Sequence, residues 1–413
     1  MQVIDAALLI PGRGAPVRDA SVAIEGPRIA YAGTAASAPA DVRNATERTR
    51  VAVVMPGLWD CHAHLMGVRD LNLERVVTTA QAVLAARAVK DAEAALQAGF
   101  TSIREVGGFG VYLAQVVSEG IVAGPTIYAA GSILSQTGGH GDLHSFPLAT
   151  VLDHSRSGGV LQLCDGVAEC IKAVRLQLRK GARLIKVCAS GGVLSELDHP
   201  VHQQFRDDEL KAIVDEAGRA DRIVAAHCHG KPGIMAALRA GCRTIEHGSF
   251  LDEEAAAAMK EAGAILVPTR FIVERMIASI DKVPPYAQPK IRSVADSHRA
   301  AIGLAYRAGV RIALGTDIVT SGRDSVVPWG ANGEELGHLV AAGLPASAAI
   351  EAATANGPLT LGPQAPRSGL LQADHDADVI ALDADPLGDI SVLGDPTHVT
   401  HVWKAGRLMK SAA

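Results

Sequence analysis

Short apolar runs, many of them rich in β-branched residues, alternate with longer alanine-rich segments of helical character through most of the chain. This alternation predicts parallel strands joined by crossover helices. Eight runs are found: VAVVMPGL near residue 51, FTSIREV near 100, TIYAAG near 126, RLIKVCA near 183, RIVAAHC near 222, RTIEHG near 243, AILVPT near 264 and RIALGTD near 311. Eight strands with intervening helices favour a closed (β/α)8 TIM-like barrel over an open doubly wound sheet.

The predicted helices carry start and stop signals. The segments DDELKAIVDEAGRAD and DEEAAAAMKEAGA each begin with Asp at a capping position and end near a Gly, just before the next strand. We therefore expect each to form one crossover helix.

The two ends of the chain show a different pattern. Near the start, Val22 and Ile24 alternate before a Gly26-Pro27 turn, and short strand-like runs return after residue 364, in DADVIALDADPL and HVTHVWKAGRLM. Neither end has enough apolar surface to fold alone. We predict a composite β-sandwich domain from residues 1–54 and 364–413, and a barrel domain over residues 55–363.

Composition limits which binding partners and which cellular compartment are expected. The chain has 413 residues, of which 20% are charged, with a formal net charge of -5 and no basic patch, so a nucleic-acid partner is not expected. The start, MQVIDAALLIPG, lacks a basic region and is broken at Pro11, which predicts a cytoplasmic protein with no signal peptide or membrane span. The six cysteines lack paired spacing, as is typical of reduced thiols.

Histidines mark the end of the first run. His62 and His64 in WDCHAHLMG alternate, so a strand would point both to one face. An isolated pair is also typical of a polar crevice, but other strand ends supply further metal-competent groups: Lys186, His227, His247 and Asp317. Since reactive groups of such barrels meet at the carboxyl ends of strands, six of them indicate a metal site.

The Lys-containing fourth strand, followed by AHCHG and IEHG, resembles the amidohydrolase superfamily over essentially the whole chain. The similarity is to its dinuclear branch, which contains Xaa-Pro dipeptidases, related metallocarboxypeptidases and ochratoxin-hydrolysing enzymes. The resemblance implies two divalent ions, expected to be Zn²⁺. It places His62, His64 and Asp317 on one metal and His227 and His247 on the other, with N-carboxylated Lys186 as the bridge.

The sequence itself gives physical reasons for some of these ligand assignments and leaves alternatives open for others. Burial in an apolar strand lowers the pKa of a lysine and favours the neutral amine that takes up CO₂, although an ion pair inside the barrel is the alternative for Lys186. His227 and His229 share a face, so the strand pattern does not choose between them; the resemblance favours His227, and leaves His229 as a substrate or outer contact or a loop residue. Glu246 is expected to face away from the site, toward the helices.

A site of this kind predicts hydrolysis of an amide or peptide C–N bond in dipeptides or N-acyl amino acids. Metal-bridged hydroxide would attack the carbonyl, with Asp317 as general base and then general acid. The alternatives are a mononuclear cyclic-amide hydrolase or deaminase, similar to imidazolonepropionase, and a non-catalytic scaffold.

Candidate substrate contacts lie on two loops. By the resemblance, His140 in SQTGGHGDLH would bind the scissile carbonyl or a substrate carboxylate; a solvated loop histidine is the alternative. Arg270 could clamp a substrate carboxylate or form a salt bridge to a neighbouring loop, and Arg104 is expected to orient nearby carboxylates. The resemblance also implies a homo-oligomer.

Overall fold

The computed structural model describes residues 1–411. Its strands are β1 (Gln2–Leu9), β2 (Val17–Glu25), β3 (Arg28–Thr34), β4 (Glu47–Pro56), β5 (Leu58–Val68), β6 (Phe100–Glu105), β7 (Thr126–Ala129), β8 (Ile133–Ser135), β9 (Leu161–Leu163), β10 (Ile185–Cys188), β11 (Val224–Cys228), β12 (Thr244–His247), β13 (Ile265–Val267), β14 (Arg311–Ile312), β15 (Ile318–Thr320), β16 (Val379–Leu382), β17 (Val399–Lys404) and β18 (Arg407–Lys410).

The α-helices are α1 (Ala40–Arg43), α2 (Arg75–Thr78), α3 (Gln81–Gln97), α4 (Gly110–Ser118), α5 (Leu148–Arg156), α6 (Gly166–Arg179), α7 (Asp207–Gly218), α8 (Lys231–Ala240), α9 (Glu253–Glu261), α10 (Arg270–Ala278), α11 (Gln288–Ala308), α12 (Glu334–Ala341) and α13 (Ala346–Ala352). Short 3₁₀ helices cover Ala35–Ser37, Ile280–Lys282, Pro358–Gln364, Ile390–Gly394 and Pro396–His398.

Strands from both ends of the chain pair in one seven-stranded sheet, in the order β18-β17-β16-β4-β1-β2-β3. The predicted Gly26-Pro27 turn lies where the pattern put it, between β2 and β3. Val22 and Ile24 pack into an apolar cluster on one face, while Ala38 and Val42 contribute to a cluster that includes Ala23. The two ends therefore do pack together, and the segment between β3 and β4 helps to bury the sheet.

The first predicted strand is wrong in its bounds. The run from residue 51 to 58 is divided between β4, which ends at Pro56 in the terminal sheet, and β5, which begins at Leu58 and pairs with β6. Consequently His62 and His64 lie within a buried strand of 11 residues, not beyond its end. The apolar run is continuous across the boundary, so no polar break marks where one sheet gives way to the next.

The middle of the chain forms an α/β structure with parallel strands, as predicted. One sheet has the order β15-β5-β6-β7 and the other β14-β13-β12-β11-β10-β8-β9, and the ladders within both are parallel. Backbone hydrogen bonds connect the two sheets on both sides. Cys61 N donates to Leu314 O (2.8 Å), and Arg183 N donates to Ala129 O (2.8 Å).

Both predicted crossover helices form, and one is capped as expected. Asp252 precedes α9 and accepts a hydrogen bond from Ala255 N (3.0 Å). At α7 the capping position is Arg206, and Asp207 is the first helical residue. There the Glu209 carboxylate accepts from Arg206 N (2.7 Å), which closes the same first turn.

The cysteine prediction is confirmed, because all six cysteines are buried and free of disulfides. Within residues 1–411, no helix combines the length and the apolar character that crossing a membrane requires.

Candidate metal centre

The predicted ligands converge on one cavity. His62 and His64 come from β5, Lys186 from β10, His227 from β11, His247 from β12, and Asp317 from the turn before β15. All six line the cavity, together with His140 and His229. The rest of the wall is largely apolar, and includes Leu73, Val76, Leu161, Ile272, Met276 and Val294.

His62, His64 and Asp317 form the first cluster. The Nε2 atoms of His62 and His64 lie 3.4 and 3.1 Å from Oδ1 of Asp317. Nδ1 of His64 donates to the carbonyl of Gly107 (2.8 Å), which orients the ring so that its Nε2 faces the carboxylate. Burial opposes ionisation of Asp317, but the two imidazoles outweigh it and hold the pKa of that carboxyl well below its usual range.

The close approach of the Asp317 turn to β5 requires a glycine. A Cβ on Gly315 would lie 2.4 Å from Cγ1 of Val267 and 2.7 Å from Cβ of His62. Asp317 itself has a φ of 61°, in the left-handed region. Such conformations persist only where the surroundings enforce them, and they are frequent at functional sites.

Glu246 corrects the sequence prediction. It does not face the helices: its carboxylate is fully buried and lies 2.7 Å from Nδ1 of His62. Nη2 of Arg104, also fully buried, donates to both carboxylate oxygens at 2.7 Å. Burial opposes ionisation of Glu246, but Arg104 and His62 lower its pKa well below the usual range. Strict alternation fails here because the next residue, His247, has a φ of 67°.

The second cluster has three histidines. Nitrogen atoms of His227, His229 and His247 lie within 4.8 Å of one another. Each ring has one nitrogen bonded to the protein: Nδ1 of His229 to Ser249 (2.8 Å), Nδ1 of His247 to Thr269 (2.8 Å) and Nε2 of His227 to the carbonyl of Gly191 (3.1 Å). The structure thus brings His229 beside the two predicted ligands, so the geometry leaves the choice among the three open.

These imidazoles are held neutral. Burial lowers the pKa of His229 to about 3, and it lowers the pKa values of His227 and His247 well below the usual value. A neutral ring nitrogen is the form that binds a metal ion. The donor set of both clusters therefore suits divalent ions such as Zn²⁺.

Lys186 is 3% exposed, and its Nζ has no hydrogen-bond partner within residues 1–411. Burial lowers the pKa of this amine. The ion pair that was the alternative for Lys186 is absent from the described residues. An unpartnered, desolvated amine fits conversion to a carbamate, which is an anion with two oxygens for two metals.

The two predicted substrate contacts, His140 and Arg270, have different surroundings. His140 lines the cavity, stacked on His227 with ring centroids 4.2 Å apart. Arg270 is 5% exposed, and its guanidinium contacts Glu274 (2.9 Å) and the carbonyl of Ala295 (2.9 Å). Of the two alternatives for Arg270, a salt bridge is found, but its partner Glu274 lies on the same helix, α10, and not on a neighbouring loop.

Asp60 is a further residue of the centre that the sequence reasoning missed. It is fully buried and accepts hydrogen bonds from the Thr316 hydroxyl (2.6 Å), Nδ2 of Asn332 (2.8 Å) and His62 N (3.1 Å). It thereby ties β5 to the turn that carries Asp317. The available signal was the alternation of Asp60 with His62 and His64 in the sequence.

Parallel strands and their adjoining turns bring imidazole and carboxylate clusters together in one cavity, which defines an α/β protein with candidate metal sites. The chain belongs to the amidohydrolase family, whose model matches residues 53–409. It is 45% identical to an ochratoxinase of Aspergillus niger, over 99% of this chain and 86% of that protein. The resemblance stated from the motifs is thus confirmed.

Solved structures agree. The crystal structure of A. niger ochratoxinase superposes with a TM-score of 0.93 at 44% identity, over 99% of this chain and 95% of that one. A prolidase complexed with N-methylphosphonate-L-proline matches with a TM-score of 0.88 at 33% identity, over 99% of both chains. The chain is therefore a hydrolase that acts on amide bonds.

Proposed function

We propose that the protein is a dinuclear metal-dependent amidohydrolase that cleaves N-acyl amino acids or dipeptides bearing a bulky apolar group. One observation carries this proposal: the unpartnered buried amine of Lys186 shares a cavity with two clusters of metal-competent side chains. A mononuclear enzyme needs no bridging ligand, so it would not require the amine of Lys186 in a cavity with two ligand clusters.

The residues divide into two ligand sets. His62, His64 and Asp317 would hold one ion, His227 and His247 the other, and N-carboxylated Lys186 would bridge them. His229 would contact substrate. When bound, such ions lower the pKa of water and polarise a substrate carbonyl.

Asp317 is the proton carrier in this proposal. Its side chain is 20% exposed, while those of its neighbours His62 and His64 are 1% and 9% exposed. Because its pKa is low, the carboxylate is ionised at neutral pH and accepts the proton of the attacking water. Asp317 then delivers that proton to the departing amine nitrogen, and the carboxylate is regenerated for the next turnover.

The apolar wall supports the substrate class. A cavity lined by leucine, isoleucine, valine and methionine side chains favours a large hydrophobic group, and no arginine among residues 1–411 lines it. The Aspergillus relative is an ochratoxinase, so ochratoxin is the first substrate to test. Xaa-Pro dipeptides are the second, because a Xaa-Pro dipeptidase is also a structural neighbour, with a TM-score of 0.86 at 31% identity over 99% of this chain and 100% of that one.

Several structural expectations belong to the same proposal. The hydrogen bonds at both sheet junctions support a closed barrel over residues 55–363. The seven-stranded terminal sheet supports a composite β-sandwich domain from residues 1–54 and 364–413. Zn²⁺ as the native ion and a homo-oligomeric assembly stay predictions.

The test is hydrolysis of a substrate panel by protein purified with zinc and bicarbonate. The panel contains ochratoxin, N-acyl amino acids with aromatic or aliphatic groups, Xaa-Pro dipeptides, cyclic amides and deaminase substrates. We expect release of an amino acid from apolar N-acyl substrates, its loss on chelation and its return with Zn²⁺. Turnover of cyclic amides or deaminase substrates alone would support the mononuclear alternative, and a protein inactive on every substrate would support the scaffold.

A further inference from the structure

The backbone makes a sharp turn at His247, the last residue of β12. Gly248 N donates to the carbonyls of Glu246 and Cys228, at 2.9 Å each, and His247 between Glu246 and Gly248 has a φ of 67°. A hydrogen bond from residue i+2 back to residue i around a positive φ forms a γ-turn of the rare and strained kind. Because of this turn, Glu246 reaches His62 while its neighbour His247 lines the cavity.

The ladder between β12 and β13 ends before this turn. Its last pair is Glu246 with Val267, and Pro268, which follows Val267, has no N–H to continue it. The carbonyl of His247 therefore lies beyond the ladder. A side chain from another element reaches it, because Nε2 of His298 on α11 lies 3.0 Å from this oxygen.

His298 is the donor in this contact. A carbonyl oxygen only accepts hydrogen bonds, so Nε2 of His298 carries a hydrogen. The side chain is fully buried, and its other nitrogen, Nδ1, has no hydrogen-bond partner among residues 1–411. Within this part of the chain, the imidazole thus directs its hydrogen bond to the turn at His247.

The position of His298 on α11 does not by itself call for a polar side chain. Ile291 and Val294 of the same helix line the cavity, and His298 follows Val294 by one helical turn on the same face. A leucine would continue this apolar face, whereas burying an unpartnered ring nitrogen costs free energy. Packing therefore does not explain a histidine here, but the hydrogen bond to the turn does.

We propose that His298 is a positioning residue that holds the γ-turn of residues 246–248 and thereby places Glu246 and His247 for both metal ions at once. This inference rests on the proposed function, because it assumes an ion in each cluster. His298 contacts the backbone of His247 and acts through it. The ring of His247 is oriented separately, by the hydrogen bond between its Nδ1 and the Thr269 hydroxyl.

The consequence is a coupling between the two metal sites. A strained backbone conformation persists only where its surroundings enforce it. In ordinary strand backbone, neighbouring side chains face opposite sides of the sheet, so Glu246 and His247 would not both reach the centre. Loss of the hydrogen bond from His298 should therefore weaken the binding of both ions.

The test compares the zinc affinities of the wild type, His298→Met and His298→Gln, measured for both binding steps by competition with a chromophoric chelator. Methionine and glutamine are close in size and shape, but only glutamine has an N–H to donate. We expect both steps to weaken about tenfold or more in His298→Met, and to return to within about threefold of the wild type in His298→Gln. Arg299→Gln is the matched control on α11, because it removes an ion pair with Glu274 away from the turn.

A double-mutant cycle distinguishes positioning from a general loss of stability. Glu246→Gln can weaken the first ion only while the turn holds Glu246 against His62, so its effect should disappear in the His298→Met background. A general loosening of the fold would leave the two effects additive. Urea unfolding of the metal-free proteins checks that each variant is folded, and His298→Leu replaces the methionine variant if that one does not fold.

The outcomes separate this inference from the proposed function. Equal zinc affinities in the wild type and His298→Met, equal losses in the methionine and glutamine variants, or additive effects in the cycle would each overturn the role of His298 and leave the proposed function standing. A wild type that binds two ions but cleaves no substrate of the panel, with both steps weakened in His298→Met and restored in His298→Gln, would count against the proposed function alone.

Discussion

Nδ1 of His62 lies 2.7 Å from a carboxylate oxygen of Glu246, although Glu246 directly precedes His247 on β12. The strand thus contributes to the centre twice, with one side chain in the second cluster and one beneath the first. Arg104 holds the carboxylate of Glu246 in place, so the hydrogen on Nδ1 of His62 faces a fixed anion. Nε2 of His62 therefore keeps its lone pair for a metal ion.

Replacing Glu246 with Gln should weaken metal binding. The amide keeps the size of the side chain but loses the charge that orients His62, and such partners typically contribute about 10- to 100-fold in metal affinity or activity. Competition with a chromophoric zinc chelator measures the affinity. Glu254→Gln, which removes a surface partner of Lys231, is the control and should bind zinc like the wild type. Equal affinities for the two variants would refute the role of Glu246.

Asp317→Asn should abolish turnover while metal remains bound. The amide still offers an oxygen to the first cluster, but it cannot take up and return a proton, so kcat should fall by about 10²- to 10⁴-fold. Single-turnover kinetics with elemental analysis checks both parts. Asp324→Asn provides an exposed control in the following loop. If Asp317→Asn keeps most of its activity, the proton must travel by another group.

Lys186 should carry a carbamate. After incubation with ¹³C-bicarbonate and zinc, the wild type is expected to show a carbamate carbon resonance by ¹³C NMR, and Lys186→Ala should lack it and be inactive. Lys172→Ala, at an exposed position on α6, should retain the resonance. A wild-type protein that is active without the resonance would contradict the bridging role.

A pH effect on stability is expected far from the metal centre, at Asp378. This residue is 8% exposed and accepts from Ala405 N (2.8 Å) in the terminal sheet, and burial raises its pKa to about 6. The folded state therefore binds the proton more tightly than the unfolded chain does. Its stabilising contribution is present at low pH and is lost as the pH rises from about 4 through about 6.

Asp378→Asn keeps the acceptor for Ala405 N and removes the titration. Relative to the wild type, the free energy of unfolding of this variant should increase by about 2–3 kcal/mol between pH 4 and pH 7.5. Urea unfolding of both metal-free proteins at the two pH values measures the difference. A difference between the proteins that does not change with pH would show that Asp378 has an ordinary pKa in the folded state.

Much of the candidate site could be predicted from the sequence because parallel strands deliver their carboxyl-terminal residues to one place. Lys186, His227 and His247 each occupy a strand that the sequence pattern predicted, and all three reach the cavity. The helices after β10 and β12 were predicted from an initial Asp and a terminal glycine, although at α7 that Asp is the first helical residue and not the cap.

The missed features depend on long-range contacts. The left-handed backbone of His247 breaks the alternation that placed Glu246 toward the helices, and nothing local in IEHG encodes it. The boundary between β4 and β5 falls inside one apolar run, so periodicity could not locate it. The ion-pair partner of Arg270 could have been predicted from the sequence, because Glu274 lies one helical turn further along α10.

The most direct test of the central claim is the number of metal ions per chain in protein purified with zinc and bicarbonate, measured by elemental analysis against protein concentration. We expect about two ions per chain, because both clusters and the Lys186 bridge are needed to hold the pair. A value near one, unchanged by excess zinc, would contradict the dinuclear centre.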